Sequence, residues 1–321
     1  MKPDVSLIIP FYNAADFMHR CIECVKKQDY KNFEAILIDD GSTDDSYQLC
    51  RQLTQDDQRF TVLHQANAGA SAARNMGIDQ AQGKAICFMD VDDEIDSAYI
   101  SALAQDRAED IDLVIQGLTQ LTCGQAQDRS IPLNKTYRLS DPKEAEAFFS
   151  DINIERFGGP YCKLFDAHLL RTHHIMFNPS IRLAEDLDFL LRYLCVCQSV
   201  RLSSENHYRY INNSGSASSH LYAFDVESNG MHALVASWTR QTEHFQVPAL
   251  STLRDRSIAY YVYRCLFASQ SVTDITSIPA SYYPAFAQYW QSSTPYLKIV
   301  KWLFAHRYFR LTYLLLRLAR N

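Results

Sequence analysis

The sequence of 321 residues is 47% hydrophobic and 12% aromatic, enough to bury one or two cores without disulfide or metal staples and too apolar for a disordered chain. Its formal net charge of −6 argues against nucleic acid as a partner, because binding a phosphate backbone needs a basic footprint. The nine cysteines are odd in number and scattered, which reads as reduced thiols in a cytosolic compartment; Cys21-x-x-Cys24 falls inside a helical pattern and has no second pair to complete a zinc site.

Met1 to Asp4 leads straight into the apolar run Val5 to Pro10, with no signal-peptide pattern, and that run predicts a strand buried on both faces. Phe17, Met18, Cys21, Ile22 and Val25 recur at three- and four-residue steps and predict a helix over 14–28. Phe33 to Ile38 predicts a second strand, ended by Asp39-Asp40-Gly41-Ser42, with a helix from about Thr43 to Leu53. Phe60 to Leu63 reads as a short third strand, Ser71 to Ala81 as a helix capped by Gly83, and Ala85 to Met89 as a fourth strand ended by Asp90-Val91-Asp92-Asp93. Leu113 to Leu118 reads as a fifth strand, 122–160 as irregular, Lys163 to His173 and Glu185 to Val196 as helical, Val200 to Ile211 as β-like, and the chain from His220 as mostly helical. The alternation predicts an α/β fold with a mostly parallel, Rossmann-like sheet flanked by helices. Ligands of such sheets bind outside the carboxyl ends of the strands. Tyr12-Asn13, Asp39-Asp40 and Asp90 to Asp93 all sit at such ends, so three clusters far apart in sequence are expected around one crevice.

Asp90-x-Asp92 supplies two hard oxygen donors of the kind Mg²⁺ and Mn²⁺ take together with substrate phosphates; the plainer alternative is a polar loop or a helix cap. A carboxylate of Asp39-Asp40 can accept the imide N–H of uracil or a ribose hydroxyl, while Asp40 or Ser42 can instead cap the following helix. Asn67-x-Gly69-x-Ser71-x-x-Arg74-Asn75 opens a helix and offers amides and a guanidinium to an anion, or is a glycine turn beside a surface arginine. Glu185-Asp186 opens another helix, where acids are favoured by the dipole alone; Leu187, Leu190 and Leu191 supply its packing face and leave the acids room to face a crevice.

Together, Val5 to Asn13, Ile38 to Asp44, Asn67 to Asn75 and Phe88 to Asp93, in this order and spacing, resemble the glycosyltransferase family 2 enzymes with the GT-A fold that build bacterial surface polysaccharides. A weaker likeness runs on through Lys163-Leu164-Phe165, Glu185-Asp186, Tyr208-x-Tyr210, Ser214 and Ser216. The resemblance implies an inverting transfer of a hexosyl unit from a nucleotide diphosphate sugar, expected to be a UDP-sugar, to a hydroxyl of a glycan or lipid-linked acceptor. It implies that Tyr12 stacks on the uracil, that Asp40 hydrogen-bonds it, and that Pro10, Asp39 and Val91 belong to the nucleotide site. Arg74 would lie near the base or diphosphate, and Asp92 would ligate a divalent cation, Mn²⁺ or Mg²⁺, with Asp90 the second carboxylate of the pair and nearer the ribose. Asp186 would be the general base, supported by Glu185. Val91 stands where such chains often carry Ser or Ala. A catalytic domain is expected over 1–217, with a nucleotide-sugar half at 1–120 and an acceptor half at 121–217, followed by a helical region at 218–321.

No acid follows Asp274, whereas Lys298, Lys301, Arg307, Arg310, Arg317 and Arg320 do, interleaved with Trp302, Leu303, Phe304, Tyr308, Phe309, Leu314 and Leu315. Residues 296–320 therefore read as an interfacial helix on anionic lipid, which would place a cytoplasmic enzyme on the inner face of the plasma membrane, or as a terminal helix packed on the catalytic domain. No stretch reaches the roughly 20 apolar residues of a membrane span. A nicotinamide oxidoreductase is excluded because G-x-G-x-x-G is missing after the first strand. A phosphoryl-transfer enzyme of the haloacid dehalogenase type is disfavoured by Glu94 at the position where such chains carry Thr or a similar small residue. A binding protein that has lost turnover is disfavoured because every expected carboxylate is present.

Overall fold

The structure is a computed structural model that describes residues 2–108, 110–122, 124–212, 221–292 and 294–318. Ser214, Ser216 and Arg320 lie outside the described residues. The chain divides into two compact units, Met1–Pro179 with Phe189–Ser214, and Ser180–Asp188 with Gly215–Asn321.

The first unit begins with β1 (Val5–Phe11), α1 (Ala15–Lys26), β2 (Phe33–Asp39), α2 (Ser46–Thr54), β3 (Phe60–His64), α3 (Ala70–Gln80) and β4 (Ala85–Phe88). It continues with β5 (Glu94–Ile95), α4 (Tyr99–Asp106), β6 (Leu113–Gln116), β7 (Leu118–Thr122), β8 (Gln125–Arg129), β9 (Lys135–Arg138), α5 (Pro142–Asp151), β10 (Lys163–Asp166) and α6 (Ala167–Thr172). Helix α7 (Glu185–Leu194) starts in the second unit's share of the chain, and β11 (Ser199–Ser203) and β12 (Tyr208–Asn212) return to the first. The main sheet has the order β3-β2-β1-β4-β10-β6-β11-β9, and a smaller one the order β5-β12-β7-β8. β1, β2, β3 and β4 are parallel, so their carboxyl ends lie along one edge. All seven residues of β1 are buried, as a strand covered on both faces by helices requires. Met18, Cys21, Ile22 and Val25 of α1 pack into the same core as Leu7, Ile9 and Leu37.

Four local expectations change. Lys163 to Phe165 is not the start of a helix; it is the strand β10, antiparallel to both β4 and β6, and only Ala167 onward is helical. Three residues, of which only Leu164 and Phe165 are apolar, carry no periodicity to distinguish the two, and the sheet decides because β10 completes its hydrogen bonding. The fifth strand breaks at Gly117, so that β6 joins the large sheet and β7 the small one; a Cβ at Gly117 would lie 2.9 Å from Ser130 Cα. Gly83 does not cap α3, which ends at Gln80 with Ala81 as its C-cap. It is needed because β1 passes so close that a Cβ would meet Ser6 N at 2.7 Å. Residues 122–160 are more regular than expected and contain β8, β9 and α5, the last started by Asp141, whose side chain accepts from Lys143 N, with Pro142 in the first turn.

The second unit is helical, with α8 (Phe224–Phe245), α9 (Pro248–Ala268), α10 (Val272–Ser277), α11 (Tyr283–Tyr289), α12 (Pro295–Ala305) and α13 (Phe309–Leu318). Its core gathers Met231, Val262, Leu266, Phe286, Phe304 and Leu316. Buried Glu227 receives both Nε and Nη2 of Arg264 at 2.7 Å, a paired fork that lets a charge sit in that core. Asp188, also buried, accepts from Ser237 Oγ at 2.5 Å. No described helix is long and apolar enough to cross a membrane.

Candidate active site

β2 and β4 flank β1, so their ends bring Asp39-Asp40 and Asp90 to either side of Phe11-Tyr12. Tyr12 follows the last residue of β1 and is 48% exposed, free to present its ring to a ligand. The turn behind it is built from side-chain caps. Ser42 Oγ, Ser46 Oγ and Asp44 Oδ2 accept the N–H groups of Asn13, Ala14 and Ala15, satisfying the orphan amides at the start of α1. Neither Asp40 nor Ser42 caps α2, as had been one expectation. Asp44 closes a turn onto Ser46 N instead, which delays the helix to Ser46.

Asp39 and Asp40 hold the site together. Asp39 is fully buried, with Oδ1 accepting Ser42 N at 3.1 Å and Oδ2 lying 2.6 Å from His64 Nδ1. Asp40 accepts Gln65 Nε2 and Ala68 N on one oxygen and Gly69 N on the other, at 2.7 to 2.8 Å. The loop ahead of α3 is therefore held by the carboxylate that follows β2. Gly41 is required there, since its φ is +74° and a Cβ would sit 2.6 Å from Asn67 N.

Arg74 projects from α3, buried, and donates Nη2 to Asp90 Oδ1 at 3.0 Å while its guanidinium lies over Phe177, 5.2 Å from the ring centroid. Asn75 exchanges two hydrogen bonds with the backbone of Phe177 and fixes that ring. After β4, Tyr208 of β12 accepts the N–H of Asp90 at 3.2 Å and donates to Asp93 Oδ2 at 2.6 Å; Ile211 N donates to Asp93 Oδ1 at 2.7 Å. Burial, then the charges of Asp90 and Asp92, pushes the Asp93 carboxyl well above the usual carboxylate range, against the pull of its two donors. Arg20 of α1 donates to the carbonyl of Asp92 at 2.6 Å and pairs with Glu94. Pro10 and Val91 are buried beneath this edge.

Glu185 and Asp186 occupy the first turn of α7 in the second unit, both partly exposed, with Leu187, Leu190 and Leu191 buried along the helix. Arg20 and Tyr208 were not given roles by sequence reasoning. The alternation Tyr208-x-Tyr210 was a visible signal for the second; an arginine in mid-helix offered none for the first.

The fold and this edge of carboxylates define the class, a GT-A sugar-nucleotide transferase fold. TarS of S. aureus, solved with UDP-GlcNAc, superposes with a TM-score of 0.68 at 17% identity over 100% of this chain and 92% of that one. The mannosyltransferase PcManGT of Pyrobaculum calidifontis, solved with GDP-Man and Mn²⁺, does so with a TM-score of 0.55 at 14% identity over 99% and 85%. Residues 6–173 match the family model described as glycosyl transferase family 2. The chain belongs to that family. EpsJ of Bacillus subtilis (strain 168), an uncharacterized glycosyltransferase, is 33% identical over 223 residues, covering 67% of this chain and 63% of EpsJ, so the chain spans less than two thirds of that relative.

Proposed function

We propose that the enzyme transfers a hexosyl unit, with inversion, from a UDP-sugar to a hydroxyl of a glycan or lipid-linked acceptor in surface polysaccharide synthesis. The observation that carries this reading is the meeting of Tyr12, Asp40, Arg74 and Asp90 at the ends of β1, β2 and β4 and the start of α3, where a nucleotide diphosphate has an exposed ring, a guanidinium and carboxylates within one edge. Tyr12 stacks on the uracil, the Asp40 loop receives its polar edge, and Asp90 lies towards the ribose. Pro10, Asp39 and Val91, all buried, complete the nucleotide site at the same strand ends.

The residues after β4 fit a divalent cation. Asp90 and Asp92 are hard oxygen donors, and the like charge crowded around Asp93 is what a cation would offset. Asp92, with Asp90, would hold the ion; among the described residues no group of three or more His, Cys, Asp or Glu is arranged for a metal. A Mn²⁺ or Mg²⁺ ion held there would supply positive charge to offset that of the departing diphosphate. Arg74 keeps Asp90 oriented and Arg20 pins the backbone of Asp92. Asp186 removes the acceptor's proton, with Glu185 beside it. Attack opposite the diphosphate turns an α-linked donor into a β-linked product.

The test is a donor screen on the purified enzyme with Mn²⁺. UDP-sugar turnover should vanish in Asp92→Asn, while Asp186→Asn should still bind UDP but lose transfer by roughly 10²- to 10⁴-fold. A retained α-linkage, or full activity of Asp186→Asn, would rule out the mechanism.

The second unit supports a membrane-peripheral location. α12 and α13 turn Val300, Leu303, Phe304 and Leu316 inward, yet leave Ile299, Trp302, Tyr308, Leu311 and Leu314 exposed between Lys298, Arg307, Arg310 and Arg317. Trp302 stacks on Tyr308, joining the end of α12 to the turn before α13. Such a face suits anionic headgroups. The full chain should co-sediment with anionic vesicles and not neutral ones, and Trp302→Ser with Arg310→Gln should abolish this; equal binding to both vesicle types would end the idea.

A further inference from the structure

Within the second unit, Glu185 and Asp186 are bracketed by two contacts to one helix. Leu183, just ahead of them, lies so close to Gly230 of α8 that a Cβ there would meet Leu183 O at 2.8 Å and Leu183 Cβ at 3.1 Å. Asp188, just after them, is buried and accepts from Ser237 Oγ of α8 at 2.5 Å. Arg240 Nη2 donates to the same hydroxyl at 3.3 Å, which leaves the hydroxyl's own hydrogen for Asp188. Gly230 and Ser237 stand about two turns apart and share one face of α8.

The turn between these contacts is strained. Ala184 has a φ of +63°, a left-handed conformation that is costly for a residue with a Cβ. Its carbonyl accepts Asp188 N at 2.9 Å and so starts α7. A backbone keeps such a conformation only where its surroundings over-determine it, and such residues cluster at active sites. Gly230 fits the same picture. Glycine inside a helix is unfavourable relative to alanine, and the close approach of Leu183 is what accounts for one in the middle of α8.

We propose that Gly230 and Ser237 are positioning residues: through Leu183 and Asp188 they clamp the turn that carries Asp186 and fix where its carboxylate meets the acceptor hydroxyl. This role for α8 rests on the reading of Asp186 as the general base. A base acts only within about 3 Å of the proton it takes, and a displacement of about 1 Å costs on the order of 10²-fold in rate. Gly230 and Ser237 have no part in holding the nucleotide, so loosening the clamp slows the chemical step and leaves donor binding as it was.

Gly230→Ala and Ser237→Ala are compared with wild type and Asp186→Asn in the full chain, with UDP-GlcNAc, UDP-glucose or UDP-galactose as donor, Mn²⁺ present and water as acceptor. Both α8 variants should lower kcat for UDP release by roughly tenfold, with the donor KM and UDP affinity unchanged. The amides of residues 184–188 should exchange with deuterium faster in both than in wild type. Ser237→Ala removes an atom and creates no clash, so it decides the matter where Gly230→Ala impairs folding. Wild-type kcat in the folded α8 variants beside an inactive Asp186→Asn overturns the clamp, and so does a loss of UDP affinity as large as the loss of kcat. Full turnover by Asp186→Asn overturns the base reading instead, and faster exchange over residues 184–188 then leaves the clamp on the turn standing. Unchanged exchange there in both α8 variants overturns the clamp whichever donor is used.

Discussion

The phenol of Tyr208 stands between two aspartates of one loop, accepting the backbone N–H of Asp90 at 3.2 Å and donating to the carboxylate of Asp93 at 2.6 Å. A residue from the second half of the unit thus sets the loop that ends β4. Tyr208→Phe removes both bonds and leaves Asp93 one buried donor short. It should destabilise the fold by about 1–3 kcal/mol and weaken UDP binding in Mn²⁺ more than in its absence. Urea unfolding and UDP titration with and without metal check this; a loss of stability with no change in the metal dependence would make Tyr208 purely structural.

Asp93 links this loop to pH. Its carboxyl is raised well above the ordinary value of 3.8, with burial the first cause. A carboxyl raised in the folded state favours the fold below its unfolded pKa, and that contribution is lost as pH rises through the folded pKa. Wild type should therefore lose stability between about pH 4 and the folded pKa of Asp93. Asp93→Asn cannot ionise and should gain on wild type over the same window. Chemical denaturation at pH 4.5 and pH 8 measures the difference between the two proteins, and an equal difference at both pH values contradicts the assignment.

Asp40 should matter to stability as well as to ligand binding, because it satisfies the N–H groups of Ala68 and Gly69 ahead of α3. Asp40→Ala leaves those donors without their acceptor at a cost of about 1–3 kcal/mol. Gly41→Ala should cost a similar amount for a different reason, its left-handed φ and its 2.6 Å approach to Asn67 N. Thermal melts of both variants would show the paired effect; a wild-type melting point for Asp40→Ala would mean the loop is held by something else.

Arg74 and Asp90 form an ion pair at 3.0 Å on the edge proposed to take the diphosphate, and Arg74 also lies over the ring of Phe177. Lysine offers one point charge where arginine offers a flat fork. Arg74→Lys should keep the fold but lose roughly tenfold in UDP affinity, and Arg74→Ala should lose more of both. Unchanged UDP affinity in Arg74→Lys would remove Arg74 from the nucleotide site.

Much of the first hundred residues was legible because each element there carries its own signal. Val5 to Phe11 is apolar enough to be buried on both faces, and the three- and four-residue steps of α1 match its buried side. Less was legible beyond residue 113. Lys163-Leu164-Phe165 reads equally as helix or strand until β4 and β6 present two open edges for it to fill. Gly117 looks like any strand glycine until the chain has to pass from one sheet to the other.

Sequence alone determined strands in a mostly parallel sheet and placed Tyr12, Asp40 and Asp90 at their carboxyl ends, because periodicity and strand-end position are local properties; the order β2-β1-β4 came with the tertiary structure. Tertiary structure decided how those residues are held: Asp40 by the loop before α3, Asp90 by Arg74 and Tyr208, the carbonyl of Asp92 by Arg20. Hydrogen bonds between residues as far apart as Asp90 and Tyr208 depend on sheet register and side-chain direction, which exist only once the backbone has closed around them.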